Sequence, residues 1–175
     1  ARILAGSETP SQGAVEWGFQ AQAAFFSQES QQNVDYGQTV WQDARRVEGK
    51  ASDLEVRNLL GAFLFSGDDV NKPVAVLSGG EKSRLALAKI LLRDSNCLVL
   101  DEPTNHLDLK TKEIFQNALL HYSGTILLVS HDRHFLDDLV GRVLELREGR
   151  LHEYLGNYSD FIRRRQAELE KAAEA

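Results

Sequence analysis

Between Leu77 and Asp108 the chain places two devices for handling charged ligands one helix apart, and this stretch limits what the remainder can fold into. Leu77-Ser78-Gly79-Gly80-Glu81 opens an apolar-periodic run that reaches Arg93. Leu85, Ala88 and Leu92 share one face, while Lys82, Arg84, Lys89 and Arg93 lie on others, so the run is an amphipathic helix. Ser78 can cap that helix, and Gly79 and Gly80 let backbone N–H groups come close to a ligand. With the helix dipole, those groups favour an anion such as phosphate. Cys97-Leu98-Val99-Leu100 then runs into Asp101-Glu102, the pattern of a buried parallel strand whose C-terminal end meets a ligand crevice. Adjacent carboxylates there repel and are desolvated unless a cation or proton offsets them. Mg²⁺ on Asp101, with Glu102 left as a base, is one resolution. Alone, each device has an ordinary reading: a turn and helix cap for the glycines, a solvated loop for the acids.

The flanking sequence predicts alternating strands and helices. Ala1 to Gly6 reads as a helical turn stopped by Gly6, and Val15–Trp17 and Ala23–Phe26 read as strands. The second strand leads into Ser27-Gln28-Glu29, where the neutral amide of Gln28 can ligate Mg²⁺ or orient water without adding charge. Helices are predicted over Val40–Val47 and Leu54–Phe65, with Trp41, Leu59, Leu60, Phe63 and Phe65 as the core of a small helical region. Lys110–Tyr122 reads as a helix with Ile114, Phe115, Ala118 and Leu119 inward. Ile126–Val129 reads as a buried strand that delivers His131 to the sheet edge carrying Asp101 and Glu102. His131 there could donate a hydrogen bond to a phosphate. A hairpin turns at Glu148-Gly149, and Asn157 caps a charged terminal helix, which is either solvated or a basic element for RNA phosphates.

With 175 residues and 42% hydrophobic content, one domain with a core is expected. The net charge of −6 supplies no bulk basic field for nucleic acid. The one cysteine, Cys97, sits in an apolar strand pattern and reads as a buried thiol in a reducing cytosol. No apolar run approaches the roughly 20 residues that span a bilayer. A phosphate-binding Gly-x-x-x-x-Gly-Lys-Ser/Thr loop is not found: at Gly49-Lys50, Ala44 stands at the first glycine and Ala51 at the hydroxyl. The chain also has no methionine, so it is expected to begin inside a larger cassette and, by itself, to bind ATP poorly.

Taken together, Leu77-Ser78-Gly79-Gly80-Glu81, Asp101-Glu102, Asn105-His106-Leu107-Asp108 and Ser130-His131-Asp132 resemble four motifs of ATP-binding-cassette (ABC) ATPases: the signature, Walker B, D-loop and switch histidine. Gln28 matches the Q-loop glutamine. Asp101-Glu102-Pro103-Thr104-Asn105-His106-Leu107-Asp108 and Leu155-Gly156-Asn157-Tyr158-Ser159 are similar to the F subfamily, soluble twin-cassette ATPases of which several act on ribosomes. The resemblance implies an α/β fold, a P-loop NTPase-like cassette core with a mostly parallel sheet and flanking helices. That core is incomplete at its N-terminus and carries a small helical subdomain at about 33–80. It further implies a partial cassette over 1–156 and a helical extension over 157–175, read as a second cassette. The site residues it implies are Glu102 and His131 for catalysis, Asp101 and Gln28 for Mg²⁺, and Gln28, Ser78, Gly79, Gly80 and Asp108 for ATP. The implied partners are a second cassette placed head to tail and the ribosome or its RNA, with no membrane domain. The alternatives are the ATPase subunit of a membrane transporter and a non-catalytic interaction module.

Overall fold

Asn96 starts the central strand by fastening it to its neighbour: its side-chain oxygen accepts from Gln22 N at 2.9 Å and its amide nitrogen donates to Gln20 O at 2.9 Å. From there β1 (Ala23–Phe26), β2 (Cys97–Asp101) and β3 (Thr125–Val129) form a parallel sheet in the order β1-β2-β3, with Cys97 opposite both Ala23 and Thr125. This computed structural model describes residues 1–27, 34–105 and 107–173. They divide into two compact units, Ala1–Val129 and Ser130–Ala175, and each is treated by itself.

In the first unit β2 is the buried centre, with Leu98, Val99 and Leu100 at most 2% exposed. Helices α1 (Val40–Arg45) and α2 (Asp53–Ala62) pack on α3 (Gly79–Leu92), and α4 (Leu109–Leu120) links β2 to β3. Thr39 and Ser52 close reciprocal capping boxes with Gln42 and Glu55, which explains the sharp starts of α1 and α2. Two 3₁₀ turns, Gly67–Asn71 and Val74–Val76, lead into α3. Buried inside is an ion pair: Lys89 Nζ donates to both carboxylate oxygens of Asp43 at 2.9 Å. Gly6 does stop a helical turn. Its φ of +72° lets Gly6 N bond Ile3 O and Ser7 N bond Arg2 O.

Several expectations need correction. Val15–Trp17 forms no strand among the described residues; it has no ladder partner there, and Trp17 sets its ring edge-on to Phe25 at 5.8 Å. Leu60, Phe63 and Phe65 are buried, but Trp41 and Leu59 are only half-buried, and the Arg57 guanidinium lies 4.3 Å over the Trp41 ring. The second helix stops at Ala62 rather than Phe65, because Leu64 takes a left-handed backbone (φ +66°) and Phe65 N returns to Leu60 O at 2.8 Å. Strand β3 is not buried. It is half-exposed, since among the described residues β2 is its only strand partner.

In the second unit, α5 (Arg133–Leu139) precedes a hairpin of β4 (Arg142–Arg147) and β5 (Arg150–Leu155), and α6 (Tyr158–Ala173) packs on the hairpin. Phe161 meets Tyr154 edge-on at 5.0 Å, and Arg165 Nε donates to Glu145 at 3.1 Å. Asn157 caps α6 as expected, accepting from Asp160 N at 3.0 Å. The hairpin turn puts Glu148 (φ +51°) and Gly149 (φ +72°) in left-handed conformation, the geometry that asparagine-glycine fits best. Glu148→Asn is therefore expected to stabilise the chain by about 0.5 to 1 kcal/mol. A thermal melt would register the gain, and a lowered midpoint would refute the strain at Glu148.

Candidate functional site

The helix that carries Ser78, Gly79 and Gly80 begins with a closed capping box. Ser78 Oγ accepts from Glu81 N at 3.3 Å, and a Glu81 carboxylate oxygen accepts from Ser78 N at 2.8 Å. Glu81's part in this was overlooked in the sequence, although the Ser-x-x-Glu spacing signals it. The box consumes the Ser78 hydroxyl and the N–H groups of Ser78 and Glu81. The N–H groups of Gly79 and Gly80, the first two helical residues, have no acceptor within the helix and lie on the exposed start of α3.

Neither glycine is required by the chain's own packing. A Cβ added at Gly79 or Gly80 would meet nothing within 4 Å, and neither has positive φ. Gly124 is the contrast: a Cβ there would lie 2.6 Å from Asn96 O. Two glycines bordering open space at an exposed helix start suit close approach by something from outside this unit.

Directly after α3, β2 ends on the paired acids. Asp101 lies in register with Val129 and is half-buried. At Glu102 the backbone turns left-handed (φ +48°), which is costly for a glutamate, and its N–H donates to Val129 O at 2.8 Å. Carboxylate oxygen Oε1 of Glu102 is buried. Strand end and left-handed turn together hold two carboxylates at the C-terminal edge of a parallel sheet, where ligand crevices form in such folds.

Asp108 caps α4. Its carboxylate accepts from Thr111 N at 2.8 Å and from Thr111 Oγ1 at 3.0 Å. The Thr111 N–H, aided by the Arg84 charge, holds the Asp108 carboxyl below the usual carboxylate range, and the Ser78 N–H does the same for Glu81. A carboxyl lowered on folding adds stability that is fully present above its unfolded value near pH 4 and is lost as pH falls through its folded value. The stability advantage of wild type over Asp108→Asn is therefore expected at pH 6 and should close below about pH 4. Urea melts at pH 6 and pH 3 decide this, and a pH-independent gap would contradict it.

The first unit thus brings Ser78, Gly79, Gly80, Asp101, Glu102 and Asp108 onto one continuous α3–β2–α4 segment. Gln28 lies outside the described residues. His131 belongs to the second unit, where it is exposed just before Asp132, the residue whose carboxylate caps α5 by accepting from Phe135 N at 3.2 Å. Cys97 is half-buried, and burial pushes its thiol up, as for an inert structural cysteine. Among the described residues no three His, Cys, Asp or Glu side chains group to hold a metal by themselves. Asp101 as a lone hard donor suits Mg²⁺, which commonly binds through one or two carboxylates together with water and phosphate oxygens.

The profile of the ABC transporter family matches residues 1–105. The chain is 39% identical over 180 residues to ABC transporter F family member 2 of Arabidopsis thaliana, covering 99% of this chain and 26% of that protein. It is 38% identical over 177 residues to the energy-dependent translational throttle protein EttA of Haemophilus influenzae, covering 98% of this chain and 32% of that one. Among solved structures it resembles a crystal structure of the complex of the archaeal ribosomal stalk protein aP1 and the archaeal ribosome recycling factor aABCE1. That match has a TM-score of 0.73 and 28% identity over 95% of this chain and 33% of the other. The chain thus spans about a quarter to a third of the length of these relatives.

Proposed function

Because the chain belongs to the ABC transporter family of ATP-binding cassettes, we propose that it supplies the acid-tipped strand and the signature helix of a cassette that binds and hydrolyses ATP in a longer parent protein. The observation that carries this reading is the exposed start of α3, where two glycines that the fold does not need border open space one helix before Asp101 and Glu102. Bound ATP with Mg²⁺ supplies the phosphoryl group and the charge that offsets the developing negative oxygens.

The roles of the chain's own residues follow from their chemistry. Asp101 holds the metal. Glu102 would polarise the attacking water as a general base, Gln28 would join Asp101 in holding Mg²⁺ through its amide oxygen, and His131 would donate a hydrogen bond to the γ-phosphate. Ser78, Gly79 and Gly80 serve a nucleotide held by a second cassette closing head to tail: the Gly79 and Gly80 N–H groups have no acceptor within the helix at its exposed start, and Ser78 holds that start in shape through its capping box. Asp108 positions the loop that follows Glu102.

The setting we infer is a soluble ABC-F protein acting on the ribosome in the cytoplasm. It is supported by the likeness to the translational throttle EttA and to a ribosome recycling factor. No helix among the described residues is long and apolar enough to cross a membrane. ATP turnover by the full-length parent, measured alone and with added ribosomes, tests both parts of the reading. Turnover that ribosomes change is the expected result. Absence of turnover in both conditions overturns the catalytic reading, and turnover that ignores ribosomes overturns the setting.

A further inference from the structure

Lys82 is a cation placed where its own helix least favours one. Its N–H donates to Ser78 O at 2.9 Å, so it closes the first turn of α3, beside the positive end of the helix dipole. Lys50, Lys72 and Lys89 of the same unit pair with Asp94, Asp69 and Asp43 at 2.9, 2.6 and 2.9 Å. Lys82 has no such partner. Half-buried, it makes no hydrogen bond or ion pair among the described residues, and its Nζ lies 4.9 Å from the centre of the Tyr36 ring. That ring is a fixed landing point. Tyr36 is 54% exposed, but the residue before it is tied down: Asp35 N donates to Asp43 at 3.3 Å, and the Asp35 carboxylate pairs with Arg46 and accepts from Gly37 N at 2.9 Å.

Side chains on a helix lean toward its N-terminus and residues three apart are neighbours, so the Lys82 stem runs beside Gly79. The same helix start carries the Gly79 and Gly80 N–H groups, which have no acceptor within the helix. Folding accounts for neither feature, since a cation here opposes the helix dipole and the glycines border open space. An anion seated on those N–H groups would turn the charge of Lys82 from a cost into an attraction. We propose that Lys82 is a further nucleotide-binding residue, its ammonium donating to a phosphate oxygen of the second nucleotide while Tyr36 keeps it beside Gly79 and Gly80. A polyphosphate carries more charge than two neutral N–H groups match, and a lysine ammonium is the compact charged donor that meets it. The inference rests on the nucleotide-site reading above and deepens it.

The experiment uses the full-length parent and reads ATP kinetics, thermal melts and, in a Glu102→Gln background, equilibrium binding of ATP. Lys82→Met keeps an apolar stem and removes the charge; Lys82→Arg restores a charge. For Lys82→Met the expected result is a KM for ATP raised about tenfold at little-changed kcat, and a Kd weakened by the same factor, as for one lost contact with a charged group. The melting temperature should be unchanged or higher, because a charge opposing the dipole is gone. Lys82→Arg should recover at least half of the loss on a logarithmic scale. Tyr36→Leu should raise KM about threefold, the size of an exposed cation–π contact, and Tyr36→Phe, which keeps a ring, should raise it less. A wild-type KM and Kd in Lys82→Met overturn the proposal, as does an arginine variant no better than methionine. A melting temperature that falls together with ATP binding in both Lys82 variants would also overturn it, by showing a merely structural role. Turnover lost in Glu102→Gln beside a wild-type KM in Lys82→Met keeps the nucleotide reading and removes Lys82 from it; a parent that binds no ATP removes both.

Discussion

Replacing Glu102 by glutamine in the full-length parent is expected to lower ATP turnover by about 10² to 10⁴-fold, the usual contribution of a positioned general base, with nucleotide binding retained. The substitution is isosteric and leaves the main chain alone. Glutamine occupies the same left-handed turn, and the bond from the residue 102 N–H to Val129 O is a backbone bond that does not depend on the side chain. Only one of the two adjacent negative charges disappears. Because neighbouring carboxylates repel, the variant should be as stable as wild type or slightly more so, the signature of a residue kept for chemistry at some cost to the fold. The variant should also accumulate in an ATP-bound, closed form, since binding survives and turnover does not. Undiminished turnover would refute the role of Glu102. A large loss of stability would show that the carboxylate is structural.

The second large effect is on folding. Asp43 is 2% exposed, takes both of its charged hydrogen bonds from Lys89 at 2.9 Å, and accepts a further one from Asp35 N at 3.3 Å. This pair ties α1 to the last turn of α3, the helix whose first turn presents Gly79 and Gly80. Asp43→Ala removes the carboxylate and leaves the Lys89 ammonium, 19% exposed, without its main counter-charge. Breaking a buried pair from one side costs about 3 to 5 kcal/mol; as Lys89 keeps a further interaction, the lower end, about 3 kcal/mol, is expected. Denaturant unfolding would measure it. Asp43→Ala combined with Lys89→Met should recover most of the loss, because a buried apolar pair is often as stable as the ion pair it replaces. A single-variant change below about 0.5 kcal/mol, the size typical of a surface substitution, would show that the pair is not coupled to the fold.

Much of the α3–β2 segment was legible in the sequence because its signals are local. Ser78 before two glycines marks a helix start, and an apolar run marks β2; the cap that Asp108 makes for α4 was not read from the sequence. What could not be read depends on partners distant in the chain. Ile126–Val129 looked like a buried strand because it is apolar, yet burial of a strand needs neighbours on both edges and faces, and β3 pairs only with β2 among the described residues. Val15–Trp17 alternates like a strand but lacks a ladder partner there. Trp41 looked like core from its size, whereas the Arg57 guanidinium over its ring lets it stay half-exposed. The left-handed backbone of Glu102 was not foreseen, since nothing about glutamate favours it; the turn is imposed by the bond to β3. The Asp43–Lys89 pair was missed for the same reason, as 46 residues separate its partners.

A structure of the Glu102→Gln parent bound to ATP and Mg²⁺ tests the central claim most directly. The account expects Asp101 and residue 102 beside one nucleotide's metal and γ-phosphate, and the Gly79 and Gly80 N–H groups facing the phosphates of a second nucleotide held by the opposing cassette. Nucleotide bound away from the C-terminal end of β2, or a start of α3 facing no phosphate at all, would contradict it.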